Sequence, residues 1–313
     1  MRSVLYRIAL VPIAVVLAHF FGFAFAHTAV PLQAARNPLY ASGSEQQPLL
    51  AAYADYAAQA LRLELGPLPG REVPLGAALA EAAVNSLGLV AIALVLSIVV
   101  GAGLALRGVA TDPPRVAPWL TVTTALGLAM PGVFLGSLLI SAMFVYLLWG
   151  GRPPPPLPIQ GFGWDAHLVL PVIVLAARPT VQIAQVTAGL LVDELGKPYV
   201  MAARSRGVPW RRVVRRHVLR NVAAPAVQAV AGSLRLLVAE LIVVERLFAW
   251  PGLGSMIAAA FIPARVSTAP EAALFLYPPV VGAALALLAL LFVIVDGLAS
   301  VSARAADPRL RAG

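Results

Sequence analysis

The sequence predicts an all-α, polytopic membrane protein with six transmembrane helices, and three observations predict it. Hydrophobic residues fill 60% of the 313 positions and charged residues only 12%, a balance too apolar for a water-soluble domain. Apolar runs long enough to cross a hydrocarbon core of about 30 Å recur along the chain. Lysine and arginine are concentrated in alternate connections, the pattern of a chain threaded back and forth through a bilayer. The absence of cysteine excludes a disulfide scaffold and a thiolate metal site.

The first apolar run, roughly Ile8 to Ala26, follows Arg2 and Arg7. A basic start before an apolar run is also the pattern of a secretory signal, but this run is longer and no small-residue cleavage site follows His27. Residues 1–26 are therefore expected to be a retained transmembrane helix. Residues 27–82 form an extracytoplasmic segment with a short helical pattern at Leu49–Leu63 and turn signals at Pro67, Pro69 and Gly70. Residues 83–313 are expected to hold a five-helix core, with spans near Val84–Leu106, Leu120–Leu148, His167–Leu191, Ala223–Val244 and Leu274–Val301. The window 120–148 is longer than a span needs and contains Met130-Pro131-Gly132, which predicts a tilt or a proline break. The prolines from Pro153 to Pro156 and Pro158 remove donors and enforce extended backbone, so they end that span. Trp250-Pro251-Gly252-Leu253-Gly254 breaks the chain after the fifth span, leaving Ser255–Phe261 to re-enter or to lie on the outer surface.

Orientation follows from the basic residues. With the N-terminus inside, the inner connections hold 15 of the 23 lysines and arginines. The outer ones hold Arg36, Arg62, Arg71, Arg152 and Arg265, with Glu45, Asp55, Glu64, Glu72 and Glu81 in the first of them. Both termini are thus expected in the cytoplasm. The net charge of +9 follows from this topology and from anionic lipid at the inner surface, without nucleic-acid binding.

The inner connection 193–222 is the most informative stretch. Tyr199, Ala202, Ala203 and the stem of Arg206 fall at i, i+3, i+4 and i+7, giving one low-bulk helical face that a partner could approach closely. Gly207 suits the left-handed residue that ends a helix and Pro209 suits the first turn of the next. In that next helix Trp210, Val213, Val214, His217, Val218 and Asn221 share one side, and Arg211, Arg212, Arg215 and Arg216 the other. Such a helix is expected at the inner interface with its arginines toward lipid phosphate. Pro225 is expected to start the fifth span.

The string formed by Tyr199, Ala202, Ala203, Arg204, Arg206, Gly207, Leu219, Asn221 and Pro225 resembles the "EAA" coupling loop of bacterial ABC-importer permeases, in the version of the dipeptide, oligopeptide and nickel group. Met201 stands where the general motif has Glu, and Arg220 where many subfamilies have Pro. Leu157-Pro158-Ile159-Gln160-Gly161 is similar to that family's LPxxG, the stretch from Glu245 to Gly254 to its E-x-x-F-x-W-P-G-L-G, and Asp307-Pro308-Arg309 to its DPR. The resemblance implies a type I ABC-importer permease architecture in a bacterial inner membrane. It also implies a second permease subunit, two cytoplasmic ABC ATPases and an extracytoplasmic solute-binding protein. The transported solute would be a peptide or similar small molecule. No phosphate-binding loop GxxxxGK[ST] occurs here, so ATP and Mg are expected on the partner ATPase, and this chain is expected to be a transporter subunit, not an enzyme.

Arg178, Arg235, Glu240, Glu245 and Asp296 lie in or at the edges of spans. A charge at the bilayer centre costs at least about 2.5–3.5 kcal/mol, so each is expected to face protein or water, as part of a path or gate. A structural pair of Arg235 with Glu240, or an edge contact, is the alternative for those two. His19, His27, His167 and His217 show no ligand spacing, so no metal site is expected. An ion-coupled secondary transporter, the alternative class, would want paired acidic residues in broken helices and an inverted repeat; neither is evident. An intramembrane hydrolase would need a base beside Ser137 or Ser141, and no histidine stands at a partner position.

Overall fold

The structure, a computed structural model, describes residues 2–36, 47–62, 64–69, 72–148, 157–262 and 274–306. Gly70, the prolines 153–156 and the Asp307-Pro308-Arg309 motif lie outside the described residues. Helices dominate: α1 (Arg2–Arg36), α2 (Leu49–Leu61), α3 (Leu75–Arg107), α4 (Pro118–Ala129), α5 (Gly132–Leu148), α6 (Val169–Leu195), α7 (Pro198–Ser205), α8 (Trp210–Val213), α9 (Leu219–Leu247), α10 (Leu253–Phe261) and α11 (Pro278–Ala306). Among the described residues, five helical stretches, Val11–Gln33, Leu75–Arg107, Ala166–Leu195, Val214–Leu247 and Pro278–Gly297, are long and apolar enough to cross a membrane. The bent pair α4 and α5 makes a sixth. Among the described residues the strands are β1 (Val109–Thr111) and β2 (Pro114–Val116), an antiparallel ribbon with Val109 opposite Val116.

The chain divides into two compact units, Met1–Gly88 with Ala249–Val293, and Leu89–Phe248 with Ile294–Gly313. In the first, α1 meets α2 through an aromatic cluster in which His19 stacks on Tyr56 and its Nδ1 lies 3.1 Å from the Tyr53 hydroxyl. α1 also crosses the first part of α11 at paired glycines. A Cβ on Gly22 would come within 3.0 Å of the Val281 carbonyl, and one on Gly282 within 3.0 Å of the His19 carbonyl. Where lipid offers no hydrophobic contrast, such close backbone approach is what makes helices associate.

The second unit is organised around α6 and α9, with α4 and α5 packed against them. The proline break expected at Met130-Pro131-Gly132 is present, and α4 and α5 meet at 95°. Proline disfavours helical geometry in the residue before it, and Met130 is extended, with φ −88° and ψ 115°.

Pro225 does not start the fifth span. Helix runs unbroken from Trp210 through a π-helical turn (Val214–Val218) into α9, with Pro225 inside it. Val213, Val218 and Val222 are all buried in one apolar cluster, and Ala226 packs against the same cluster, so one core seats the helix on both sides of the proline. The basic helix and the fifth span are one element. Membrane helices tolerate an internal proline where neighbours or local π adjustment accommodate the freed carbonyl.

Candidate functional site

The connection between α6 and α9 is a folded corner. α7 begins with Pro198 at its first position, and the chain turns away just past its end at Gly207, whose φ of +76° only glycine adopts without strain. The Gly207 amide donates to the Arg204 carbonyl at 2.9 Å and the Val208 amide to that of Ala203 at 3.2 Å. Beneath the corner lies one apolar cluster that includes Ala105, Leu120, Leu191, Leu195, Val200, Val213, Val218 and Val222, all buried. The ends of α3, α4, α6 and α9 and the corner itself therefore share a core.

Glu194, at the end of α6, fastens both ends of the corner. Its carboxylate is only 7% exposed and pairs with the Lys197 ammonium. Its Oε1 accepts from the Tyr199 hydroxyl at 2.7 Å and from the Asn221 side-chain amide at 2.6 Å. Tyr199 enters the corner and Asn221 leaves it, so one buried anion closes the loop. Burial, followed by the hydrogen bond to Glu194, pushes the Tyr199 phenol up to about 12, which keeps it a neutral donor.

This geometry divides the face that the spacing assigned to a partner. Tyr199 and Ala203 turn inward beside buried Val200, because the Glu194 bond fixes the helix's rotation. Ala202 and Arg206 stay exposed, and so does Met201, at 63%. Arg204 is held by Asp112 of the β1–β2 turn at 2.9 Å and sits 5.5 Å from the centre of the Trp210 ring. Leu219 is half-buried against the same cluster.

The intramembrane charges are paired across helices, and the Arg235–Glu240 pairing does not occur. Arg178 of α6 donates to Glu240 Oε1 of α9 at 2.7 Å, while Arg235 pairs with Asp296 of α11. Positions 235 and 240 are five apart and point in different directions on a helix, so each finds its partner on another one. The Glu240 carboxylate lies against the α4–α5 break: a Cβ on Gly132 would stand 2.6 Å from Glu240 Oε2. Among the described residues, Glu240 Oε2 and Arg178 Nε are buried with no hydrogen-bond partner. Glu245 is fully buried and engaged in polar contact.

The two remaining motifs act as braces, each within its own unit. The Gln160 side-chain amide donates to the Leu247 carbonyl at 2.8 Å and the Gly161 amide to that of Phe248 at 2.9 Å. Fully buried Trp250 donates from Nε1 to the Asn85 carbonyl at 3.2 Å, the Asn85 amide donates to the Pro251 carbonyl at 3.0 Å, and the Leu253 amide to Ser86 Oγ at 2.8 Å.

Sequence reasoning missed Glu194, Lys197 and Asp112. A signal for Glu194 existed: an acidic residue at the end of an apolar run, three residues before a lysine. Its link to Asn221, 27 positions away, is visible only in the fold.

A predominantly helical, multi-pass membrane component with a braced corner between two of its spans is the class this fold and site define. Residues 97–312 match the family model described as "Binding-protein-dependent transport system inner membrane component". The chain belongs to that family. Among curated proteins it is 32% identical over 140 residues to the oligopeptide transport system permease protein AppB of Bacillus subtilis (strain 168), covering 44% of each chain. It is 36% identical over 139 residues to the glutathione transport system permease protein GsiC of Escherichia coli (strain K12), covering 44% of this chain and 43% of the relative. Against GsiC of Salmonella choleraesuis (strain SC-B67) the figures are 36% over 145 residues, 46% and 44%. The aligned part thus spans less than half the length of the curated relatives it matches.

Proposed function

We propose that this chain is a transmembrane permease subunit of an ATP-binding-cassette importer for a peptide or similar small solute. The observation that carries the reading, beside the family membership, is the corner 196–221, closed by Glu194 and seated on the ends of four spans. A loop of that build moves as a rigid body, so a push on α7 reaches α6 and α9 directly. Each transport state is then a discrete packing that a partner's nucleotide state biases.

In this reading two cytoplasmic ATPases bind ATP and Mg, a second permease subunit completes the path, and an extracytoplasmic binding protein delivers the solute. Both termini lie in the cytoplasm of a bacterial cell, and lipid surrounds the spans. Exposed Met201, Ala202 and Arg206 form the face offered to the ATPase. The Arg178–Glu240 pair at the α4–α5 break is the polar group placed beside the path, and Arg235–Asp296 and Glu245 brace or gate it.

Reconstitution of this chain in liposomes with its neighbouring permease, ATPases and binding protein tests the reading. ATP-dependent peptide uptake that disappears when this chain is omitted is the expected result. Uptake driven by an ion gradient without ATP would refute it.

A further inference from the structure

Arg212, Arg215 and Arg216, with Pro209, line a concavity of about 410 Å³. That is within the range of small-molecule sites, about 300–1,000 Å³. All three arginines are exposed, and among the described residues none has an acidic partner. Arg178, Arg204, Arg235 and Lys197, by contrast, are each paired with a carboxylate. Spacing of i, i+3 and i+4 places the trio on one helix face. The π-helical turn (Val214–Val218) contains two of the three, and such turns are frequent at functional sites.

Position relative to the bilayer narrows the ligand. The continuous helix Val214–Leu247 has 34 residues, about 51 Å at 1.5 Å per residue against a hydrocarbon core of about 30 Å. Some turns must therefore lie outside the core, and the first ones, which carry the charged arginines, are those that lipid hydrocarbon excludes to the headgroup layer. Val213, Val218 and Val222 face the protein core, which leaves the arginines facing away from it. A guanidinium presents a planar fork of donors that matches phosphate oxygens two at a time.

We propose that this concavity binds the phosphate headgroup of an anionic phospholipid, such as phosphatidylglycerol or cardiolipin. The inference rests on the membrane placement of α9 in the reading above and gives its lipid partner a specific seat. A headgroup held there would fix the helix that leaves the corner, one turn before Asn221 closes onto Glu194.

The test is native mass spectrometry of the chain copurified with its ATPase, after exchange into detergent with phosphatidylglycerol or phosphatidylcholine. The comparison is with a variant carrying Arg212→Lys, Arg215→Lys and Arg216→Lys, which keeps every charge and so keeps topology. Wild type should retain phosphatidylglycerol about fivefold or more over phosphatidylcholine, and the triple variant, which keeps the charges but loses the planar forks, should show that preference reduced by about half or more. Added inorganic phosphate should leave the lipid in place. Equal retention by the variant, or displacement by inorganic phosphate, would overturn the site. Should the triple variant not fold, the single changes are read in the same way, each expected to weaken the preference. ATPase absent from every preparation while the lipid preference persists would count against the importer reading and leave the lipid site standing.

Discussion

Replacing Glu194 with Ala removes the one anion that both ends of the corner share. Two hydrogen bonds to a charged acceptor, from Tyr199 and Asn221, contribute about 1.5–3 kcal/mol each. The Lys197 pair adds little because the ammonium is half exposed. Desolvation of the carboxylate offsets part of the sum, so about 3 kcal/mol of local stability should be lost. At about 1.4 kcal/mol per factor of ten, amides of residues 196–209 should then exchange with deuterium about a hundredfold faster. Amides of α2, in the other unit, should be unchanged. Glu194→Gln keeps one acceptor oxygen and should fall between the two. Unchanged exchange in the Ala variant would refute the view that Glu194 holds the corner.

Three further outcomes follow from the geometry. Gly132→Ala places a methyl 2.6 Å from the Glu240 carboxylate, the flexible end of that side chain, which must swing aside and disturb its bond to Arg178; the cost in thermal unfolding should be about 1 kcal/mol, the low end for overpacking, and adding Glu240→Asp should restore part of it, whereas an unchanged Tm would contradict the packing at the break. Arg178→Met alone should cost about 3–5 kcal/mol by leaving Glu240 uncompensated, whereas Arg178→Met with Glu240→Leu should recover most of it and still lose transport. Transport retained by the double variant would remove the pair from the path. For Tyr199, whose phenol ionises near 12 when folded and near 10 when not, the folded state keeps the proton, so the corner loses stability as pH rises from about 10 to about 12 and is unaffected below; ultraviolet titration against Tyr199→Phe should show no phenolate from this residue at pH 10.

What was legible in the sequence depended on the range of the cause. Hydropathy and prolines are local signals, and they place the spans, the break at Met130-Pro131-Gly132 and the glycine corner at Gly207. The expectation that Pro225 opens a helix was also local, and the one core that seats Val213, Val218, Val222 and Ala226 overrode it. The β1–β2 ribbon has strands of three residues, too short to give a period, yet its turn supplies Asp112 to Arg204. Partner choice among charges was the least legible, because Arg178 meets Glu240 across 62 positions and Arg235 meets Asp296 across 61. Glu194 escaped attention since it lies at the end of an apolar run outside the motif, and only the fold shows that Tyr199 and Asn221 converge on it.

In the importer reading proposed above, the exposed side of α7 is held by an ATPase. Since the chain has no cysteine, Met201→Cys and Ala202→Cys each place a single thiol on that face, and Val200→Cys places one beneath it as a buried control. In membranes carrying the neighbouring ATPase, a short bifunctional thiol reagent should join positions 201 and 202 to an ATPase cysteine, with a yield that changes on adding ATP, and should leave position 200 unjoined. Cross-links absent at 201 and 202 while the ATPase remains bound would contradict the claim.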